Sequence, residues 1–106
     1  MSALSAQTCV AQRGAAMAAP EVAQWMAQLE GWTLRGNGIE KRLAFADFHA
    51  TMAFVNAIAS IAHEQDHHPE LQVSYGHCTV RWSTHSVGGL SICDFICAAK
   101  IDAMSL

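Results

Sequence analysis

The fold is decided by residues 71–85, which read LQVSYGHCTVRWSTH. Apolar and polar residues alternate on both sides of Gly76 and His77, which predict a two-residue turn of the Gly-X kind. Alternation of this kind puts every second side chain on one face of a strand. The apolar row consists of Leu71, Val73, Tyr75, Cys78, Val80, Trp82 and Thr84. The stretch therefore predicts an antiparallel hairpin with one buried face, and it places His85 at the strand end, on the more polar face.

A second hairpin is predicted nearer the N-terminus. Residues 32–35 and 39–45 are two short strand candidates, and Gly36-Asn37-Gly38 between them tolerates the positive φ angles of a tight turn. In the later strand, Lys41 interrupts the apolar row that begins at Ile39. A lysine on the buried side of a strand indicates an edge strand or a frayed strand start.

Three helices are predicted around the hairpins. The first covers about residues 20–30, because Pro20 suits the first helical position and Gly31 supplies a stop. A long helix begins after the N-cap Asp47 and ends before Pro69, and a last helix follows the cap Ser91. The predicted buried stripe of the long helix is Phe48, Met52, Val55, Ile58, Ala59 and Ala62, widened by Phe54 and Ile61. That of the last helix is Ile92, Phe95, Ile96, Ala99 and Ala103.

The order helix, hairpin, helix, hairpin, helix predicts an α+β fold. Its two layers are a four-stranded antiparallel sheet and helices packed on one face of that sheet. Residues 1–19 are rich in Ala, Ser and Gln and are predicted to form a loosely ordered N-terminal tail. Residues 20–106 then form a single domain, since a chain of 106 residues supports one modest core.

The composition excludes several classes of protein. Hydrophobic residues make up 52% of the chain and charged residues 14%, which is typical of a compact globule. The net charge is −3 and no basic stripe is present, so direct binding of nucleic acid is not expected. No apolar run reaches the length of a membrane span. The four cysteines fit neither a disulfide framework nor a zinc ribbon, and no apolar signal segment is seen. A cytoplasmic location is therefore predicted.

Three histidines form the candidate catalytic cluster. His67 and His68 stand where the long helix ends, and His85 stands at the end of a strand. An imidazole titrates near neutrality, with an unperturbed pKa of about 6.5. Neighbouring imidazoles also oppose each other's protonation, so charged and neutral rings coexist near pH 7. The cluster is thus able to supply both an acid and a base to one substrate.

A zinc site is the competing interpretation of the same region. His63-Glu64-Gln65-Asp66-His67 satisfies the H-E-x-x-H pattern of zinc proteases. His68 and Pro69, however, end the helix at the second of the two ligands, and no third histidine follows at metzincin spacing. A chance match is favoured, and zinc hydrolysis stays as an alternative.

Three further residues are candidates for supporting roles. Asp94 follows Ser91 by three residues, which is the spacing of a capping box, and its carboxylate could also orient a histidine or hold a substrate N–H. Thr84 is expected to bond a neighbour through its hydroxyl. Trp32 is large enough to be a core residue, but its place directly after a helix stop would also suit stacking on a planar ring.

Several short motifs together resemble the pterin-4a-carbinolamine dehydratase family, over about residues 20–104. They are His67-His68-Pro69-Glu70, Tyr75, Trp82-Ser83-Thr84-His85, Gly89-Leu90-Ser91 and Asp94, with Gly31-Trp32 and Asp47-Phe48 nearer the N-terminus. One position departs from the family pattern. The family often has Glu four residues before the first His of the pair, whereas this chain has His63 there and Glu64 next to it.

The resemblance implies a lyase that dehydrates 4a-hydroxytetrahydropterin to the quinonoid dihydropterin, which recycles the cofactor of aromatic amino-acid hydroxylases. It implies no metal and no cofactor besides the pterin substrate, a homodimer or homotetramer, and a phenylalanine hydroxylase as functional partner. Carried over by position, the catalytic residues are His67, His68 and His85. The substrate-binding residues are Trp32, Thr84 and Asp94.

A non-catalytic role is the alternative within the family. Some members act as dimerisation cofactors of a homeodomain transcription factor, or as assembly factors, and a shared fold does not separate these roles from catalysis. The intact set of His67, His68 and His85 favours the enzyme, because a scaffold would not need three imidazoles.

Overall fold

The computed structural model describes residues 4–104, so residues 1–3 of the predicted tail and 105–106 of the predicted domain lie outside it. Within this range the helices are α1 (Ala19–Met26), α2 (Phe48–Gln65) and α3 (Ile92–Asp102), with 3-10 turns at Leu4–Ala6 and His85–Val87. The strands are β1 (Thr33–Arg35), β2 (Gly38–Ala44), β3 (Glu70–Val73) and β4 (His77–Trp82). None of the described helices is long and apolar enough to cross a membrane.

The strands form one antiparallel sheet in the order β1-β2-β4-β3. Ile39 of β2 and Cys78, Val80 and Trp82 of β4 are fully buried in the core, together with residues of all three helices. The intervening residues of these strands, such as Arg81, point to the other side and stay partly exposed. The predicted two-layer α+β fold, with helices on one face of a four-stranded sheet, is confirmed.

The β3–β4 hairpin turns one residue earlier than predicted. Val73 pairs with Cys78, and the backbone N–H of Ser74 donates to the carbonyl of His77 at 2.9 Å. The turn is therefore Tyr75-Gly76, not Gly76-His77, because main-chain pairing fixes the register. The alternation of β4 is unaffected by this shift, since its apolar residues still face the core.

Strand β4 ends at Trp82, although the alternation of apolar and polar residues in the sequence continues to His85. Thr84 and Gly89 then form an isolated bridge, in which Thr84 N–H donates to the Gly89 carbonyl at 2.7 Å. The bridge closes a short loop that begins with His85 and ends at Gly88, whose φ of 69° suits glycine. His85 is thus held in a 3-10 turn beyond the strand, not at the strand end as predicted.

Strand β2 lies inside the sheet, so the edge position suggested by Lys41 is wrong. The Lys41 ammonium reaches the rim of the core, where it donates to the Glu30 carbonyl at 2.8 Å and to Asp102 Oδ1 at 3.0 Å. The indole N–H of Trp32 donates to the same Oδ1 atom at 2.9 Å. An inner strand accommodates the lysine because Asp102, at the end of α3, pairs with its charge.

Two of the predicted helices have shifted buried stripes, and one is shorter than predicted. The Asp47 side chain caps α2 as predicted, accepting from the Ala50 N–H at 2.8 Å. The most buried residues of α2 are Thr51, Phe54, Ile58, Ala62 and Gln65, whereas Phe48 and Ala59 are exposed. In α3 the most buried residues are Cys93 to Ala98 and Ile101, and Ala103 is exposed. Helix α1 ends at Met26, because the chain tightens there into turns, in which Gln28 N–H donates to the Trp25 carbonyl at 3.0 Å.

The N-terminal segment differs most from its prediction as a loosely ordered tail. Leu4 is 3% exposed and belongs to the core, and Lys100 donates to the Ser5 carbonyl at 2.8 Å. Further along, Cys9 forms a disulfide with Cys93, although the cysteine spacing predicted none. Composition did not reveal this course, because the segment is fixed by contacts with residues more than 80 positions away.

We predict that Asp102→Ala lowers the free energy of unfolding by about 1–3 kcal/mol, because it leaves the Trp32 indole N–H and the Lys41 ammonium without their shared acceptor. The loss is measured by urea denaturation. The control is Glu64→Ala, at an exposed position of α2, which should change the unfolding free energy by no more than about 0.5 kcal/mol. Equal stability of the two variants would show that the Asp102 network does not contribute.

Candidate active site

The end of α2 sets the position of His67. Asp66 adopts the left-handed conformation with φ 49°, and its N–H donates to the His63 carbonyl at 3.4 Å. The next N–H, that of His67, donates to the Ala62 carbonyl at 3.2 Å. This pair of bonds is the Schellman pattern, which reverses the chain direction at a helix end. His67 consequently turns back toward the core, and its side chain is only 12% exposed.

A fully buried carboxylate holds the His67 ring. Nε2 of His67 lies 2.6 Å from Oδ1 of Asp94, and the other oxygen, Oδ2, accepts from the Thr84 hydroxyl at 2.8 Å and from the Ser91 N–H at 2.9 Å. An ionised carboxylate only accepts, so Nε2 carries the proton. In the neutral ring, Nδ1 is then left with a lone pair that can take a proton.

The hydroxyls beside Asp94 complete an ordered network. Because the Thr84 hydroxyl donates to Asp94, the hydrogen of the bond between Thr84 Oγ1 and Ser91 Oγ, 2.7 Å long, comes from Ser91. Ser91 Oγ in turn accepts from the Cys93 N–H at 3.2 Å. The capping box predicted for Ser91 and Asp94 is present, so the same carboxylate caps α3 and holds His67.

An aromatic ring limits the rotation of His67. The imidazole stacks on the indole of Trp82, with 5.4 Å between ring centroids and 10° between planes. Trp82 is fully buried, which makes it a fixed surface. Hydrogen bonding at Nε2 and stacking on one face together fix the direction in which Nδ1 points.

A cleft of about 450 Å³ opens beside His67. One wall comes from the end of α2 and the Thr84 loop, and the other comes from the N-terminal segment and Cys93. The lining residues are Cys9, Val10, Ala11, Gln12, Gln65, Asp66, His67, Thr84, Ser86 and Cys93. A cleft of this size is within the range of small-molecule sites.

The structure brings together some of the predicted site residues and separates others. His67 and Thr84 line the cleft, and Asp94 lies behind His67, where it cannot touch a ligand directly. His68 and His85 are exposed and do not line the cleft, although each is adjacent in sequence to a lining residue. Trp32 is not a lining residue either, because its indole is bonded to Asp102 at the C-terminal end of α3.

The geometry of the H-E-x-x-H segment differs from that of a zinc-binding helix. Helix α2 ends at Gln65, so His67 lies outside it and does not share a helical face with His63. His63 and Glu64 are both exposed, and neither lines the cleft. Among residues 4–104, no three His, Cys, Asp or Glu side chains are grouped closely enough to hold a metal ion.

Apart from His67 and Thr84, the residues that line the cleft were not predicted from the sequence, and Gln65 and Cys9 are two of them. Gln65 is 9% exposed, and its Oε1 accepts from the Cys9 N–H at 2.7 Å. The spacing of Ile58, Ala62 and Gln65 on one helical face could have revealed the buried glutamine. Cys9 gave no local signal, because only the tertiary fold brings it beside Cys93.

Fold and site together define a class of protein: an α+β domain that holds a carboxylate-bound histidine in the wall of a ligand-sized cleft, an arrangement suited to proton transfer. The particular family follows from comparison with known proteins. Residues 15–104 match the family described as Pterin 4 alpha carbinolamine dehydratase, and the chain belongs to this family.

Bacterial relatives extend over most of the chain. A Nitrosospira multiformis protein, provisionally named a pterin-4-alpha-carbinolamine dehydratase, is 52% identical over 84 residues, which cover 79% of this chain and 74% of that protein. A Stenotrophomonas maltophilia protein with the same provisional name is 46% identical over 106 residues, which cover 96% of this chain and 91% of the other.

Two solved structures share the fold. A Brucella melitensis protein described as a transcriptional coactivator/pterin dehydratase superposes with a TM-score of 0.79 at 30% identity, over 83% of this chain and 96% of that one. A pterin dehydratase-like protein described as a RuBisCO assembly factor in the alpha-carboxysome gives a TM-score of 0.60 at 25% identity, over 70% and 88% of the two chains.

We predict that the His67 Nε2–H gives a distinct, slowly exchanging proton signal in NMR spectra, because the proton is shared with a buried carboxylate. The exposed rings of His68 and His85 should give no such signal, since their N–H protons exchange rapidly with water. The signal should disappear in His67→Gln. Its persistence in that variant would contradict the assignment.

A pH dependence of stability follows from the buried thiols. Burial raises the pKa of Cys97 to about 12, the Asp94 carboxylate adds to this rise, and Lys100 opposes it. Burial also raises the pKa of Cys78 above its ordinary value of 9.0. Above that ordinary value the unfolded chain loses thiol protons that the folded chain keeps, so the free energy of unfolding should fall as pH rises. Urea titrations at about pH 8 and about pH 10.5 measure the fall. The fall in unfolding free energy between the two pH values should be smaller in Cys97→Ala. An equal fall in that variant would contradict the contribution of the Cys97 thiol.

Proposed function

We propose that the protein is a dehydratase, which converts 4a-hydroxytetrahydropterin to the quinonoid dihydropterin plus water by histidine acid–base catalysis. The observation that carries the proposal is the 2.6 Å contact between His67 and the buried Asp94 at the wall of the cleft. A carboxylate behind an imidazole fixes its tautomer and stabilises its protonated form. Membership of the family supplies the substrate class.

The reaction needs one proton removed and one delivered. In the proposed step, Nδ1 of neutral His67 takes the proton from N5 of the pterin. The electron pair of that N–H bond forms the N5–C4a double bond as the C4a–O bond breaks. The departing oxygen receives a proton from protonated His68 and leaves as water. His68 follows His67 directly in the chain but does not line the cleft, so in this step its exposed side chain turns toward the bound substrate. No electrons are exchanged with another reactant, so the step needs no oxidant or reductant.

The remaining polar residues take supporting roles in this proposal. His68 is exposed, which lets it recover its proton from solvent. His85, in the turn after Thr84, positions the substrate or relays a proton. Thr84 lines the cleft and also fixes Asp94, which in turn orients His67 without touching the substrate. Trp32 is not assigned a role in the site, because Asp102 holds it elsewhere.

The wider setting of the enzyme is part of the same proposal. We infer that it works without a metal or an added cofactor, as a homodimer or homotetramer in the cytoplasm. Its product would return to an aromatic amino-acid hydroxylase, with phenylalanine hydroxylase as the functional partner.

A second candidate function comes from the structural relatives. One carries a coactivator description and another is described as an assembly factor, so the fold also serves protein partners in other chains. A scaffold would not need an imidazole that is hydrogen-bonded at one ring nitrogen and stacked on an indole at one face. The ordered His67–Asp94–Thr84 network therefore favours the enzyme for this chain.

We predict that His67→Ala lowers the rate of dehydration of freshly generated 4a-hydroxytetrahydropterin by about 10²–10⁴-fold, because one proton transfer is lost. The rate is followed by ultraviolet absorbance. His49→Gln is the matched control, since His49 is an exposed histidine at the start of α2 that does not line the cleft, and its rate should match that of wild type.

Each outcome separates the candidate functions. A loss below about tenfold in His67→Ala would contradict the proposed role of His67. An inactive but folded wild-type protein would favour the partner-binding function instead. A chelator-treated wild-type sample runs alongside, and loss of activity in that sample would support the zinc alternative.

A further inference from the structure

The second wall of the cleft comes from a part of the chain outside the helices and strands. Residues 9–12, here called the strap, line the same cleft as His67 and Thr84. The chain is anchored before the strap, where Lys100 donates to the Ser5 carbonyl, and after it, where Met17 N–H donates to the Leu90 carbonyl at 2.8 Å. The strap itself thus spans the cleft between two fixed points.

Within the strap itself, few contacts hold it down. Cys9 N–H donates to Gln65 Oε1 at 2.7 Å, and the Ser86 hydroxyl donates to the Gln12 carbonyl at 3.0 Å. Val10 between them is 67% exposed. The Val10 carbonyl oxygen also lies 3.2 Å from Cys93 Sγ, and a reduced Cys93 thiol would donate only a weak hydrogen bond to it. Hydrogen bonds of modest net strength leave a segment free to open, whereas a covalent bond does not. The disulfide between Cys9 and Cys93 is therefore the contact that decides whether the strap stays closed.

The place of that disulfide connects it to the site. Cys93 immediately precedes Asp94, the residue that holds His67, and both lie in the first turn of α3. The disulfide therefore links the strap to helix α3, which carries Asp94, the hydrogen-bond partner of His67. The other two cysteines, Cys78 and Cys97, are buried free thiols with raised pKa values, which makes them unreactive.

We propose that the strap is a redox-controlled cover of the His67 cleft: the Cys9–Cys93 disulfide closes it and reduction to two thiols opens it. The proposal rests on the proposed function only for its consequence, which is control of substrate entry. It agrees with the proposed cytoplasmic location, where disulfides are usually transient or redox-sensing.

The chemistry is thiol–disulfide exchange with a small-molecule disulfide or dithiol. In closing, one protein thiolate attacks the small disulfide and releases a thiol, and the second protein thiolate then displaces the other, so that two thiols are oxidised and one disulfide is reduced. In opening, one thiolate of a dithiol attacks the sulfur of Cys9, the more exposed of the two residues, and Cys93 leaves as the thiolate. The second thiolate of the dithiol then displaces Cys9, so that two protein thiols form and the dithiol is oxidised to a disulfide.

The test measures how accessible His67 is in the two redox states of the full chain. Wild type is oxidised with a small-molecule disulfide or reduced with a dithiol that is then removed, and each form is treated with diethyl pyrocarbonate. Peptide mass spectrometry gives the modification rate of each histidine. His68 and His85 are exposed and do not line the cleft, so they serve as internal controls in the same molecule.

We expect reduction to raise the modification rate of His67 about fivefold or more, while the rates of His68 and His85 change little. Cys9→Ser should behave like reduced wild type under both conditions. Thr8→Ser, at the exposed neighbouring position, keeps both cysteines and should respond as wild type does. Intact mass confirms the oxidised state, which is lighter by two hydrogens.

Equal modification of His67 in the two states would overturn the proposal, as would failure of the oxidised protein to form the Cys9–Cys93 bond. A parallel measurement of kcat/KM with 4a-hydroxytetrahydropterin separates the two levels of inference. If His67 responds to reduction but no form is active, the strap proposal stands and the dehydratase function fails. If the protein is active but His67 is modified equally, the strap proposal alone fails.

Discussion

The structure depends on one buried carboxylate. Asp94 has no exposed surface, and its two oxygens accept bonds from His67, Thr84 and the Ser91 backbone. These partners come from the end of α2, the loop after β4 and the start of α3, so one side chain joins the start of α3 to the loop before it and to the end of α2, 27 positions away. Leaving a buried charge without its partners typically costs about 3–5 kcal/mol. Both the stability of the fold and the geometry of the site therefore depend on Asp94.

The same helix carries a second anchoring acid at its other end. Asp102 accepts from the Trp32 indole and from the Lys41 ammonium, and thereby joins the C-terminal end of α3 to the first hairpin. Helix α3 thus has an end at the candidate site, where Asp94 holds an imidazole, and a structural end, where Asp102 pairs with a lysine. This division explains why Trp32 belongs to the scaffold although its position resembled that of a stacking residue.

Placing the proposed chemistry on a helix terminus has a physical advantage. The left-handed Asp66 ends α2 abruptly and turns His67 inward, while the adjacent His68 stays in solvent. Two neighbouring imidazoles consequently have different environments, one fixed by Asp94 and Trp82 and one free to exchange protons with water. Acid–base catalysis needs such a difference between its two groups.

The sequence by itself determined the element order, the α+β class, the Asp47 and Ser91 caps and the end of α2 before Pro69, because these depend on local periodicity and capping chemistry. It also singled out His67, Thr84 and Asp94, through their place in short motifs. Only the tertiary structure decided which of them meet, since the His67–Asp94 contact joins residues 27 positions apart. It likewise decided the β3–β4 register, the inner position of Lys41 and the Cys9–Cys93 bond. Contacts between distant segments leave no local pattern, because they depend on how the whole chain packs.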